Sequence, residues 1–391
     1  MKHAVFSLKD KFSGLRNYDK TYKHLRKHMD SMPVGYPATL SGVERRLLKA
    51  MFDIDEARLA MYMDWRFETA DTIFERAGKA LEIYRDEVVQ RLFSMEKKGA
   101  IFVRNVDGVW QFALIPLLIG MIERQVARIT PGMYLDIREY IAKIFGIEYT
   151  TTAVPQMRVI PVEKSITPDH TIGTYDEIRH IIETTDREIS IAECFCRKSQ
   201  GLLGNTCAIT KRTETCMGFG DFGAQLIRNG WSRPMTKEEA FAHIDLSEKE
   251  GLVIQPSNEK SPEFLCFCCG DCCGILEILS SYPRPADFVA SNYRVSLNTG
   301  SCNGCGTCLS RCQMNAFTLK KDKAVLNSGK CIGCGLCVTT CGKGALTMVK
   351  KETETVPPDS WEERLGITMA GKKGTMGKLL SAGKGAWGLK P

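Results

Sequence analysis

With 391 residues the chain has room for two or three domains and a sizeable core. Its 43% hydrophobic and 25% charged residues match an ordinary soluble protein, and its longest apolar stretch, Val109 to Ile122, is interrupted by Gln111, Pro116 and Gly120 and is too short to span a bilayer. The net charge of +7 is modest, and the seventeen cysteines fall in clusters, as metal ligands in a cytoplasmic protein do and a disulfide framework does not.

Residues 1–39 form a basic N-terminal segment in which eight Lys/Arg stand against three Asp over the first thirty positions. Its start has no long apolar core and no small-residue cleavage site, so no signal peptide is expected. His24 and His28 sit four apart and would face one metal on a helix; among so many lysines they read as surface residues. Residues 40–150 read as a helical unit closed by a hairpin. Asp53 and Glu56 have capping-box spacing, Thr69 to Ala77 reads as a second helix, and Tyr84, Val88, Leu92 and Met95 recur at helical spacing before Gly99. Two apolar runs then flank Asp107-Gly108, a strong hairpin signal, and Pro116 suits the first turn of a following helix. This order looks like a winged-helix domain. Such domains bind DNA or dock proteins, and the third helix here mixes Arg85, Arg91, Lys97 and Lys98 with Asp86, Glu87 and Glu96, unlike a phosphate-facing surface.

Residues 151–285 are a Cys-rich metal-binding region of α/β character. Cys194-Phe195-Cys196-Arg197, Cys207 and Cys216 make one group, and Cys266, Cys268, Cys269, Cys272 and Cys273 another. Five thiols in eight residues are hazardous in a reducing cytoplasm unless coordinated. A third metal centre drawn from a subset of these nine is therefore expected, with an iron–sulfur cluster, structural zinc or a redox dithiol as the options. Adjacent cysteines point in different directions, so Cys268/Cys269 and Cys272/Cys273 need not serve one ion. Arg197 is placed to neutralise thiolate charge. Gly218-Phe219-Gly220-Asp221-Phe222-Gly223 matches a dinucleotide fingerprint in letters, but without a clear preceding strand or a βαβ unit its glycines suit a metal-site loop better. Thr236 and Glu239 cap a helix running to Gly251, before a strand at 252–254.

Residues 286–350 carry C-x2-C-x2-C-x3-C twice, as Cys302, Cys305, Cys308, Cys312 and as Cys331, Cys334, Cys337, Cys341. Three close cysteines wrap three irons of a cubane and the fourth crosses to the other cluster. That assigns Cys302, Cys305, Cys308 and Cys341 to one [4Fe-4S] cluster, and Cys331, Cys334, Cys337 and Cys312 to a second. Zinc sites use separated C-x2-C knuckles instead. A short hairpin lies between the runs, around Lys320 to Lys323, and Ala345 to Val349 reads as a strand. Residues 351–391, glycine-rich with five lysines and no acid after Leu365, read as a flexible basic tail.

Residues 295–350 resemble the dicluster ferredoxin family. That family usually places proline after the fourth cysteine, where this chain has Gln313 and Gly342. Over residues 40–350 the chain resembles iron–sulfur binding proteins of anaerobic bacteria. In these a winged-helix-like region precedes a C-x-C-R segment, a C-x-C-C-x2-C-C type segment and a dicluster ferredoxin. Cys194, Cys196, Arg197, Cys207, Glu214, Cys216, the 266–273 cluster and both ferredoxin runs carry the likeness. It implies an α+β protein working in a redox system, as electron carrier or oxidoreductase subunit, with redox proteins as partners. A reductase centred on the middle cysteines, or a redox-sensing DNA-binding regulator, are the alternatives.

Overall fold

The computed structural model describes residues 8–166 and 174–388. The reading of the first residues as free of a signal peptide lies outside them. The chain divides into two units at Glu148/Tyr149.

The first unit opens with α1 (Leu8–Asp30), α2 (Val43–Met51) and α3 (Ile54–Ala60). Tyr22 and Leu25 of α1 are fully buried, and the Tyr22 hydroxyl donates to the Phe52 carbonyl at 2.8 Å. Asp53 caps α3 in a capping box with Glu56, as its spacing predicts. Strand β1 (Glu68–Thr69), α4 (Ala70–Leu81) and α5 (Arg85–Lys97) follow, then β2 (Ile101–Val106) and β3 (Val109–Leu114). The hairpin turns on Asp107 and Gly108, both at positive φ, and β1 joins it to give the order β1-β3-β2. Val88, Leu92 and Met95 of α5 are buried, as are Val103 and Phe112 of the hairpin. After Pro116 comes a distorted turn (Leu117–Met121) rather than a regular helix, because Leu118 is extended and Ile119 is left-handed. The unit closes with α6 (Pro131–Tyr140) and the start of α7 (Gly146–Thr151).

The second unit contains α8 (Ile178–Thr184), β4 (Ile189–Glu193), α9 (Phe195–Leu202), β5 (Glu214–Phe219), α10 (Gly220–Arg228) and β6 (Ser232–Pro234). Then come α11 (Lys237–Glu250), β7 (Val253–Pro256), β8 (Phe264–Cys268) and α12 (Gly274–Ser280). Thr236 and Glu239 form the expected capping box on α11, and Gly251, at φ 91°, ends it. The strands pair antiparallel in the order β6-β4-β5-β8-β7.

This sheet corrects the reading of the glycine-rich run. Gly218 lies in β5 and Gly220 opens α10, so the run does join a strand to a helix. The antiparallel neighbours of β5 still rule out a βαβ unit. The glycines serve close packing: a Cβ on Gly218 would meet the Gly223 Cα at 3.0 Å and Ser190 Oγ at 2.8 Å.

The C-terminal part of this unit holds β9 (Tyr293–Leu297), α13 (Thr307–Arg311), β10 (Phe317–Lys320), β11 (Lys323–Leu326) and β12 (Leu346–Lys350). β10 and β11 form the expected hairpin, and β12 pairs with β9. Tyr293, Val295, Phe317, Leu346 and Met348 share a small core with Cys331 and Cys337. The tail departs from the expectation of a flexible segment. It forms α14 (Trp361–Ala370) and α15 (Thr375–Ala386). Ser360 caps α14, Trp361 and Leu365 are buried, and Arg364 pairs with buried Glu259. Composition after Leu365 hid the anchor because the anchoring residues precede it. Among the described residues no helix is long and apolar enough to cross a membrane.

Candidate iron–sulfur and metal sites

The two C-x2-C-x2-C-x3-C runs approach each other across the β9/β12 ribbon and the β10/β11 hairpin. Cys302, Cys305, Cys308 and Cys341 line one cleft of about 340 Å³, open to solvent. Cys331, Cys334, Cys337 and Cys312 line a second, tighter cavity. Each site thus collects three thiols of one run and the last thiol of the other. Left-handed glycines shape the loops. A Cβ on Gly304 (φ +73°) would stand 2.2 Å from the Asp322 carbonyl oxygen, and one on Gly333 (φ +76°) 2.2 Å from that of Tyr293.

Backbone amides point at the sulfurs. Gly304 N and Ala324 N each donate to Cys302 Sγ at 3.4 Å, and Ala316 N donates to Cys312 Sγ at 3.3 Å. Those amide donors hold the Cys302 thiol below its ordinary pKa, and a bond with Thr307 does the same for Cys305. The second site is deeper. Cys331 and Cys337 are buried, and burial pushes Cys334 up to about 12. A thiol quartet, a cavity and amide donors to sulfur are what a cubane cluster needs, so the residues fit the group.

Gln313 and Arg311 tie this module to the Cys-rich sheet. Gln313 Nε2 donates to Gly251 O at 3.0 Å, and Gly270 N donates to Gln313 Oε1 at 2.8 Å. Arg311 Nη1 donates to Lys249 O at 3.0 Å. Gln313 therefore does what a proline at that position would not: it links the residue after Cys312 to the loop carrying Cys269.

The nine middle cysteines separate into two groups. Six form a row of thiol–thiol contacts, running Cys194, Cys196, Cys273, Cys268, Cys266, Cys216. Cys216 and Cys266 are cross-strand partners on β5 and β8, and Cys268 shares their face two residues on. Cys194 and Cys273 cap α9 and α12. Hydrogen bonds from Cys266 and Cys273 draw Cys268 down to about 7. Cys207, Cys269 and Cys272 form the other group with Asp271, and their ligand atoms all lie within 4.8 Å of one another. Neighbours Cys268/Cys269 and Cys272/Cys273 thus go to different groups, as alternating side chains dictate. Arg197 Nη2 donates to Cys269 Sγ at 3.2 Å. Asp271 was not among the ligands expected from sequence; its place between Cys269 and Cys272 was the available signal. Elsewhere, His28 Nε2 bonds the Met63 carbonyl at 2.8 Å and His24 is exposed, so they do not form a pair of ligands.

Residues 301–345 match the family model described as a 4Fe-4S dicluster domain. No curated protein and no solved structure matches the chain.

Proposed function

We propose that this iron–sulfur protein transfers electrons through two [4Fe-4S] clusters, the first on Cys302, Cys305, Cys308 and Cys341 and the second on Cys331, Cys334, Cys337 and Cys312. The observation that carries the reading is the crosswise gathering of three thiols of one run with the fourth of the other around each cavity. When bound, each cluster accepts and donates single electrons; the chain's part is to hold the thiolates, donate amides to sulfur and set burial. Exposed Cys305 makes the first site the port for a redox partner. The second site faces inward, and Gln313 and Arg311 connect it to the Cys-rich sheet, where a further metal centre is held by a subset of the nine middle cysteines. The protein then serves as a carrier or oxidoreductase subunit, in the cytoplasm and in an anaerobic setting.

The helix, strand, helix, helix, hairpin order of the first unit supports a winged-helix reading, and we read it as a protein-docking module rather than a DNA reader. Arg85 pairs with Asp71, Arg91 with Glu87 at 2.5 Å and Lys98 with Glu56 at 2.6 Å, so three of the four bases of the third helix are already matched by acids. The test is anaerobic purification with iron and acid-labile sulfide counts, followed by a reductive titration. At least about eight irons per chain and two reversible one-electron steps are expected. Zinc in place of iron, or no reversible reduction, would sink the reading.

A further inference from the structure

The nine middle cysteines are two sites of different size, and the smaller has the dimensions of a single ion. A tetrahedral zinc ion with Zn–S bonds of about 2.3 Å sets its sulfurs about 3.8 Å apart, and a sulfur and a carboxylate oxygen slightly closer. Cys207 Sγ and Cys269 Sγ lie 3.6 Å apart, and Cys207 Sγ and Asp271 Oδ1 lie 3.7 Å apart. Cys272 completes the set within the 4.8 Å span. Among the described residues this is the one group of three or more such ligand atoms so close together. A cubane cluster puts each thiolate on its own iron and a two-iron cluster puts two on each, so either needs its four sulfurs spread around several metal atoms. The six-thiol row has that extended form; the compact group does not.

The ligands are also held from behind, as metal ligands usually are. Ala208 N donates to Asp271 Oδ2 at 2.7 Å, which leaves Oδ1 facing the thiols. Thr210 N donates to Cys207 Sγ at 3.4 Å, and Arg197 to Cys269 Sγ at 3.2 Å. Three thiolates and a carboxylate outweigh a divalent ion, and the Arg197 guanidinium offsets part of the excess. Cys269 and Cys272 are buried, while Asp271 is exposed.

We infer that Cys207, Cys269, Asp271 and Cys272 bind one Zn²⁺ ion in a tetrahedral site separate from the six-thiol row and from both ferredoxin clusters. This deepens, and rests on, the reading of the middle region as metal-binding. The ion pins the irregular segment between α9 and β5 to the turn before α12. That same turn carries Gly270, whose amide meets Gln313 beside Cys312. The zinc site thus fixes the surface on which the ferredoxin module is seated.

The experiment uses the full chain, purified without oxygen in zinc-containing medium. Zinc and iron are counted together, and X-ray absorption is recorded at the zinc edge. One zinc per chain is expected, with three sulfurs at about 2.3 Å and one oxygen at about 2.0–2.2 Å. C207S/C272S should lose the zinc and keep the iron. D271A, a change at an exposed position, should keep the fold and weaken zinc retention against a chelator at least tenfold. Zinc retained by C207S/C272S, iron lost with it, or a four-sulfur zinc spectrum would overturn the inference. Wild-type protein with iron but no zinc would overturn it too. Full zinc with no iron would leave this site standing and remove the electron-transfer reading instead.

Discussion

Replacing Arg364 by methionine strips the cation from an ion pair sealed between α14 and the segment after β7. The side chains of Arg364 and Glu259 are 1% and 0% exposed, with Arg364 Nε donating to Glu259 Oε1. Among the described residues Glu259 Oε2 and Arg364 Nη1 have no hydrogen-bond partner, so Arg364 is the cation that bonds this carboxylate directly, while Arg158 acts on it only through space. Two unit charges 4 Å apart attract by about 4 kcal/mol at an effective dielectric of 20. Breaking a buried pair by removing one partner costs about 3–5 kcal/mol, because the remaining charge stays out of water. Arg364→Met should therefore destabilise the chain by about that much. The double variant R364M/E259L removes both charges and should fall within about 1 kcal/mol of wild type, or above it, since the pair's own desolvation is removed as well. Urea unfolding followed anaerobically by circular dichroism measures all three proteins, with Glu259→Leu closing the cycle. A cost below about 1 kcal/mol for Arg364→Met, or a double variant as damaged as the sum of the singles, would mean that the two charges are not a coupled buried pair.

Further expectations follow from single positions. Gly304→Ala forces a left-handed alanine whose Cβ meets the Asp322 carbonyl at 2.2 Å, so it should lose the first cluster, about four irons per chain, and spare the second. Gln313→Pro gives up two hydrogen bonds to Gly251 and Gly270, and should cost about 1–3 kcal/mol in urea unfolding with the iron count unchanged. His243 is held down to about 4, by burial and then by Arg212, against 6.5 in the open chain. Its contribution is complete above about 6.5 and is lost as pH falls towards 4, where the unfolded imidazole takes a proton that the folded one refuses. The loss amounts to at most about 3 kcal/mol, and His243→Gln should flatten that slope relative to wild type in the same unfolding assay. Gel-shift titrations should show no salt-sensitive DNA binding, because Arg85 and Arg91 of α5 and Lys98 just past it are paired with Asp71, Glu87 and Glu56, which leaves Lys97 too few companions for a phosphate-facing surface.

The elements legible in the sequence were those written in local chemistry. Asp53 with Glu56 and Thr236 with Glu239 marked helix starts through their own hydrogen bonds. Asp107-Gly108 marked a hairpin because both positions need positive φ. The spacing of the ferredoxin cysteines carried their chemistry for the same reason: each run is one short continuous stretch of chain. What stayed hidden depended on contacts between distant segments. No strand was expected at β5 or β8, because glycine and cysteine mask the alternation of a strand and only the pairing of Cys216 with Cys266 makes them a sheet. Asp271 was not an expected ligand, because Cys207, far away in sequence, stands opposite it only in the fold. Arg364 looked like one more basic residue near a basic tail, and its partner lies at Glu259, before β8.

The crosswise ligand set is tested most directly by Cys341→Ser and Cys312→Ser, compared by electron paramagnetic resonance of the reduced proteins. Cys341→Ser should perturb the same cluster signal as Cys305→Ser, and Cys312→Ser the same signal as Cys334→Ser. If Cys341→Ser instead matched Cys334→Ser, each run would hold its own cluster and the proposed assignment would be contradicted.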